Sequence, residues 1–385
     1  MILCQPGNAV SLLENGEQFF PALHAAIDRA EREIFLQTYI FDDDQTGRSI
    51  AAALARAAVR GVAVRVMVDG FGGRSFVTSL MPYLREQGVQ VLIYRRELRK
   101  LSLRRHRLRR LHRKVAVIDG REAFVGGINI VDDYDASGPS HPRYDYAVHV
   151  QGPLLEPIVD SVHRLWRLVA WASFRRRQHH PLVARAQAEP VGDVRAAFVV
   201  RDNLRFRRAI EDAYLTAIAR AEREIVIANA YFFPGRRFRQ ALTDAAERGV
   251  RITLLLQGIA DHPLQRFATR ALYPYFLSRG IRLFEYHRSH LHAKVAVVDG
   301  RWATVGSSNI DAFSLLMARE ANVVIEDSRF ATHLRARLEH AICSGANELR
   351  PSDWRRLSVL QRALNWVSYQ LVRLAIGIAG YRGKH

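Results

Sequence analysis

The chain carries one motif twice. His112-Arg113-Lys114-Val115-Ala116-Val117-Ile118-Asp119-Gly120 returns 180 residues later as His292-Ala293-Lys294-Val295-Ala296-Val297-Val298-Asp299-Gly300. Each copy leads into a small-residue turn ending in Asn: Gly126-Gly127-Ile128-Asn129 and Gly306-Ser307-Ser308-Asn309. A long internal repeat constrains the fold before any other feature does, because the same unit must form twice and bury the same face twice. Lysine usage adds weight. Of 57 basic residues only Lys100, Lys114, Lys294 and Lys384 are lysine, so half of the lysines stand at equivalent points of the repeat. An ammonium is a compact point charge and a guanidinium a broad fork, so a tight phosphate pocket has reason to take the former.

The repeat extends beyond the motif. Ala30-Glu31-Arg32-Glu33-Ile34 recurs as Ala221-Glu222-Arg223-Glu224-Ile225, each ending an amphipathic helix and entering an apolar strand. Arg60-Gly61-Val62 is matched by Arg248-Gly249-Val250, with Gly where a helix C-cap belongs and a β-branched strand after it. Gly88-Val89 and Tyr94 match Gly280-Ile281 and Tyr286. The order reads β-α-β-α-β, then the His-Lys-Asp strand and a further strand, twice over. That alternation predicts an α/β protein of two pseudo-symmetric sandwich halves on parallel or mixed sheets, with the active site at their interface.

The boundaries follow from the repeat. Residues 1–178 form the first half, the polar stretch 179–192 the linker and residues 193–350 the second half. Residues 351–385 form an amphipathic tail. Its single Arg residues, Trp366 and Tyr369 suit either an interfacial helix in contact with a membrane or a terminal helix docked on the protein's own core. The spacing of the two halves shifts by 12 residues between Tyr94 and His112, locating an insertion in residues 95–111. That stretch has nine Arg or Lys against one acidic residue, with five leucines interspersed. It reads as a solvated basic loop or as a basic flap beside the pocket, suited to anionic head groups.

Composition narrows the partner. The net charge of +19 calls for a polyanion: nucleic acid, an anionic membrane surface or a charged phosphate substrate. Cys4 and Cys343 supply neither a disulfide framework nor zinc-ligand spacing, which fits a reducing compartment. No signal peptide stands at the N-terminus, and no stretch has the roughly 18 uninterrupted apolar residues of a spanning helix. A peripheral protein on the cytoplasmic side of the cell membrane is expected.

The motif specifies chemistry. Side chains two apart on a strand share a face, so His112 and Lys114 point into one pocket, as do His292 and Lys294. If the halves pack about a pseudo-two-fold axis, both pairs meet in one cleft. One neutral imidazole can then attack phosphorus while the other, protonated, serves the leaving oxygen. Lys114, Lys294, Asn129 and Asn309 would bind the non-bridging oxygens as their charge rises. Asp119 and Asp299 complete the motif and are grouped with its catalytic set, although each also reads as a turn residue. Each histidine needs a carboxylate to fix its tautomer, and Asp145 and Glu320, on the strands after the motifs, are the candidates. A histidine pair with fixed cations needs no metal, and no cofactor is expected. Burying polar groups on an apolar strand face is costly unless they are paired, and here it happens twice, which argues against a packing role alone.

With both His-x-Lys-x4-Asp motifs and both Asn turns in place, the chain resembles the phospholipase D superfamily from about residue 10 to 345. Leu12-Leu13-Glu14-Asn15-Gly16-Glu17, Ile227-Ala228-Asn229-Ala230-Tyr231-Phe232-Phe233-Pro234-Gly235 and Ala303-Thr304-Val305-Gly306-Ser307-Ser308-Asn309 make it most similar to the bacterial cardiolipin synthases, in the B form without N-terminal membrane spans. The resemblance implies transfer between two phosphatidylglycerol molecules through a phosphohistidine, giving cardiolipin and glycerol. It implies His112 as nucleophile and His292 as acid and base, the pseudo-symmetry leaving the reverse assignment open. It places the protein at the bacterial inner membrane, with no nucleic acid as partner. A phospholipase D-type hydrolase, or a nucleic-acid phosphodiesterase, would use the same residues. Gly126-Gly127 against Gly306-Ser307 shows that the two sites are not chemically identical.

Overall fold

The fold is described from a computed structural model for residues 2–95, 110–134, 141–173, 185–202, 206–259, 263–311, 318–355 and 358–378. The basic insertion thus lies outside the described residues except for Arg95, Arg110 and Leu111, as does the first part of the linker.

The first half begins with β1 (Gln5–Glu14), α1 (Asn15–Arg29), β2 (Glu33–Thr38), α2 (Gln45–Val59) and β3 (Ala63–Asp69). It continues with α3 (Arg74–Thr78), α4 (Leu80–Glu86), β4 (Gln90–Tyr94), β5 (Arg110–Leu111), β6 (Lys114–Ile118), β7 (Glu122–Gly126), β8 (Tyr146–Gln151) and α5 (Leu155–Ala172). The second half repeats the plan with β9 (Val194–Arg201), α6 (Ala209–Arg220), β10 (Glu224–Asn229), β11 (Phe232–Phe233), α7 (Arg236–Glu247) and β12 (Arg251–Gln257). After these come α8 (Pro263–Arg270), α9 (Tyr273–Leu277), β13 (Arg282–Tyr286), β14 (Lys294–Val298), β15 (Trp302–Gly306), β16 (Ile310–Asp311) and β17 (Ala318–Glu326). The chain closes with α10 (Ser328–Gly345), β18 (Ala346–Leu349), α11 (Pro351–Arg355) and α12 (Val359–Ile378).

The strand order shows the duplication. It runs β13-β12-β10-β14-β15-β17-β9 and then β1-β8-β7-β6-β2-β3-β4, the same sequence of equivalents read outward from the β9–β1 seam. Within each half the first three crossover strands are parallel, and the motif strand joins them antiparallel: β2 pairs with β3 parallel and with β6 antiparallel, as β10 does with β12 and β14. The mixed α/β architecture and its two equivalent halves agree with the reading from sequence.

Burial explains why the motif strands read as unbroken apolar runs. Every residue of β2, β6 and β14 is buried, because the sheet is covered on both faces there. Val115 and Val117 join Val295 and Val297 in one inner core that takes in both halves, α5 and α10. Ala116 and Ile118 face α1, α2 and α4 on one outside, and Ala296 and Val298 face α6, α7 and α9 on the other. The halves therefore share a single apolar interior, which fixes one motif relative to the other.

Candidate active site

Each motif histidine is carried by a strand of its own half and clasped by the other half. The His112 and Arg113 N–H groups both donate to the Arg319 carbonyl at the start of β17, at 3.0 and 2.8 Å. The short strand β5 lies parallel to β17 beside them. The second half mirrors this: the His292 N–H donates to the Tyr144 carbonyl at 2.8 Å, and the Tyr144 N–H donates to His290 O at 2.9 Å. Alternation along the strand then sorts the side chains. Arg113 turns away from the cleft, donating to Gln37 Oε1 at 2.8 Å and Ser161 Oγ at 2.7 Å. His112 and Lys114, its neighbours on either side, share the opposite face.

This clasp dictates a crosswise pairing of histidine and acid. His112 Nδ1 lies 3.1 Å from Glu320, which belongs to the second half. His292 Nδ1 lies 2.5 Å from Asp145 Oδ2, which belongs to the first. Both carboxylates are buried, while each imidazole keeps 17% of its side chain exposed to the cleft. With Nδ1 committed to the acid, Nε2 is the ring nitrogen left to meet a substrate. The two lysines are buried beside the histidines. Lys114 Nζ donates to the His112 carbonyl at 2.7 Å, Lys294 Nζ to that of His292, and Lys294 also stands 3.8 Å from Asp145.

The charges act on one another across the half-to-half boundary. Burial, and then Lys294, push the Lys114 ammonium down to about 7. Burial pulls both imidazoles below their ordinary value. His112 is supported against it by Glu320, whereas His292 is pushed further by Lys294, Arg143 and Lys114. The acids differ. Burial raises Asp145 to about 6, with Lys294 opposing. Burial also works against ionised Glu320, but His112, Arg201 and Lys114 together hold its carboxyl below the usual range. Two buried ammonium groups that destabilise each other, with two imidazoles facing the same space, form a site that an anionic phosphodiester would relax.

Asn129 and Asn309 follow the strands beside the motifs, and both are buried. Asn129 Oδ1 accepts the Ile40 N–H at 3.1 Å, while Asn309 Oδ1 has no hydrogen-bond partner among the described residues.

The grouping of Asp119 and Asp299 with the catalytic residues needs correction. Each lies past the far end of its strand, five residues and about 16 Å from the lysine at a strand's rise. The Asp119 carboxylate accepts the N–H groups of Glu31, Arg32 and Glu33 at 2.8–2.9 Å. Asp299 does the same for Glu222, Arg223 and Glu224. Both adopt a left-handed backbone, with φ of 54° and 53°, so the carboxylate folds back over the hairpin onto the start of β2 or β10. They register the motif strand and do not touch the cleft.

Three positioning residues escaped the reading of the sequence. Asp69, ending β3, accepts the Leu111 N–H at 2.7 Å, and Gln257, ending β12, accepts the Leu291 N–H at 3.0 Å. Each thereby holds the residue just before a motif histidine. Ser307 Oγ donates to Glu320 Oε2 at 2.5 Å. Its counterpart is Gly127, where a Cβ would come within 2.4 Å of Asp145 Oδ1. Asp69 and Gln257 occupy matching places in the repeat, so extending the alignment past the glycines would have found them.

A duplicated His-Lys cleft between two fused α/β halves defines a phospholipase D-like phosphodiester enzyme. A family model described as "Cardiolipin synthase, PLD-like domain" matches residues 23–135 and 214–342, and the chain belongs to that family. It is 42% identical over 345 residues to cardiolipin synthase B of Shigella flexneri and to that of Escherichia coli K12, covering 89% of this chain and 82% of each relative. Cardiolipin synthase A of Pseudomonas syringae is 31% identical over 334 residues, 86% of this chain and 68% of the relative. Among solved structures, phosphatidylserine synthase of Haemophilus influenzae superposes with a TM-score of 0.71 over 98% of this chain and 96% of that one. At 13% identity that likeness concerns the fold.

Proposed function

We propose that this protein is a cardiolipin synthase that transfers a phosphatidyl group from one phosphatidylglycerol to another. The observation that carries the proposal is the cleft in which each motif histidine is paired with the other half's carboxylate and both lysines bear on the same space. In the first step His112 Nε2 attacks phosphorus and the bond to the head-group glycerol oxygen breaks. His292, protonated at Nε2, gives its proton to that oxygen, and glycerol leaves. In the second step His292 takes the proton from a hydroxyl of another phosphatidylglycerol. That oxygen attacks phosphorus, the P–N bond to His112 breaks, and cardiolipin is released. Lys114, Lys294, Asn129 and Asn309 hold the non-bridging oxygens.

The acids support this division of roles. Ionised Glu320 accepts the Nδ1–H of His112 and keeps its Nε2 free of a proton, as a nucleophile requires. The Asp145–His292 pair sits among Lys294, Lys114 and Arg143, and a bound phosphodiester offsets those charges, so the shared proton settles on His292 when substrate arrives.

Anionic lipid as substrate suits the net charge of +19, and the protein works at the membrane surface as a peripheral protein of the cytoplasmic side. Among the described residues no helix is long and apolar enough to cross a membrane, and both cysteines are free thiols. Mass spectrometry of lipids after mixing the protein with phosphatidylglycerol vesicles tests the reading, with His112→Ala as control. Cardiolipin and glycerol, absent with the variant, are expected. Phosphatidic acid alone would make the protein a hydrolase, and no lipid product would redirect the search to nucleic acid.

A further inference from the structure

Helix α12 is built inside out. Its inward face is made by Asn365, Ser368 and Val372, all buried, and by Tyr369, whose ring lies 5.4 Å from that of Phe233 and whose hydroxyl accepts from Arg239 at 3.3 Å. Its outward face is a stripe of Leu360, Leu364, Val367, Leu371 and Leu374, between 44% and 79% exposed, at the 4-3-4-3 spacing of one helix side. Val359 and Trp366 are exposed beside it. A surface helix in water places its leucines inward and its polar residues outward. This one does the reverse while staying anchored: α12 packs along α8, and Val372 lines one small cavity with Phe232, Phe233 and Asp311.

The anchor also sets the location. Phe232-Phe233 and Ile310-Asp311 pair as the ribbon β11–β16, and Ile310 directly follows Asn309 of the cleft. The docked face of α12 thus rests beside the ribbon that follows Asn309 of the cleft.

We propose that the outward face of α12 is a membrane-docking surface, lying in the head-group region of an anionic bilayer and bringing the cleft to its lipid substrate. The partner follows from charge. The helix has Arg362 and Arg373 and no acidic residue, in a chain of net charge +19. Both arginines lie off the stripe, Arg373 with its guanidinium over the Tyr369 ring, where they and the chain's net charge complement the anionic head groups around a stripe set into a bilayer. Trp366 beside a leucine stripe is the composition of an interfacial helix. The proposal rests on the lipid-substrate reading for its purpose but not for its test, since binding needs no turnover.

The experiment compares the full chain with the Leu364→Ser/Leu371→Ser variant, whose changed side chains face solvent and leave the docked face intact. Sedimentation with phosphatidylglycerol vesicles is expected to show at least about tenfold weaker partitioning for the variant. For the unaltered chain, binding should also be weaker to phosphatidylcholine vesicles and at raised salt. Transfer on detergent-dispersed phosphatidylglycerol should be unchanged by the substitutions. Equal sedimentation of the two proteins would overturn the proposal. So would a dimer, seen by light scattering, that the substitutions dissociate, because a second copy would then be the occupant.

Discussion

The two halves solve one problem with different parts. Each must hold a histidine through its Nδ1 with a carboxylate that is cut off from solvent. For His112 the carboxylate is Glu320, which receives the Ser307 hydroxyl and has Arg201 opposite it on β9. Arg201 is 1% exposed, and its Nε and Nη1 have no hydrogen-bond partner among the described residues, so it acts on Glu320 as a buried charge. For His292 the carboxylate is Asp145, one carbon shorter, packed against bare Gly127, with Asn15 holding its backbone at 2.8 and 3.1 Å. Lys294, Lys114 and Arg143 all favour its ionised form, yet burial outweighs them and raises it to about 6. The same fold thus holds one carboxyl below its ordinary range and lets burial raise the other to about 6. Near-symmetry of the backbone does not require symmetry of proton affinity: His112, Arg201 and Lys114 outweigh burial at Glu320, whereas Lys294, Lys114 and Arg143 do not at Asp145.

The histidines themselves give the sharpest way to break this comparison. His112→Ala is expected to lower transfer by about 10⁴-fold or more and to leave no phosphatidyl-enzyme. His292→Ala should lose about 10²- to 10⁴-fold in turnover while still accumulating the labelled intermediate slowly. Recovering label from His112→Ala and none from His292→Ala would reverse the roles of the halves. Next in size are the acids. Glu320→Gln should cost about 10³- to 10⁴-fold, since it removes a charge the site maintains. Asp145→Asn should cost nearer 10²-fold, because that group already carries a proton part of the time. Equal losses would show that the acids are equivalent after all.

Ser307→Gly copies the first half's turn into the second. Losing a hydrogen bond to a buried carboxylate is expected to cost about tenfold in kcat/KM. The sign of its pH effect is fixed. Without the hydroxyl, both Glu320 and His112 hold protons more tightly, and both must be free of them at the sites in use. The acid limb of kcat/KM therefore moves to higher pH, and an unmoved limb would remove Ser307 from the explanation. The smallest effect on catalysis belongs to Asp299→Ala. It should lower stability by about 2 kcal/mol through three lost N–H acceptor bonds, yet leave activity per folded molecule unchanged. Burial alone would raise the Asp299 carboxyl, but those bonds and Arg301 outweigh it and hold it below its ordinary 3.8. Its contribution is accordingly complete above that pH and lost as pH falls through the lowered value. Thermal unfolding followed across pH 2–6 in both proteins checks this.

Much of the site was legible because it is written twice. His112, Lys114, Asn129 and their partners 180 residues on needed only the repeat, and aligning the strands after the motifs picked out Asp145 and Glu320. The Asp residues of the motif misled for the same reason: a repeated residue can be repeated for the turn it builds. The tail could be read either as docked or as interfacial, and α12 is docked through Tyr369 and Val372 while its leucines remain exposed. Which side of an amphipathic helix meets the core depends on what the core offers there, here Phe233 and Arg239 from a distant part of the chain.

The sequence by itself determined the duplicated α/β unit, the apolar strands that must be covered on both faces, and the set of groups available for phosphoryl chemistry. These are matters of local periodicity and residue type. Only the tertiary structure decided that each histidine takes its carboxylate from the other half, that Ser307 and Arg201 set one pair apart, and that the motif aspartates stay out of the cleft. The crosswise pairing depends on how β5 lies along β17 and Tyr144 along Leu291, contacts between residues some 150 to 210 positions apart, which no local pattern encodes.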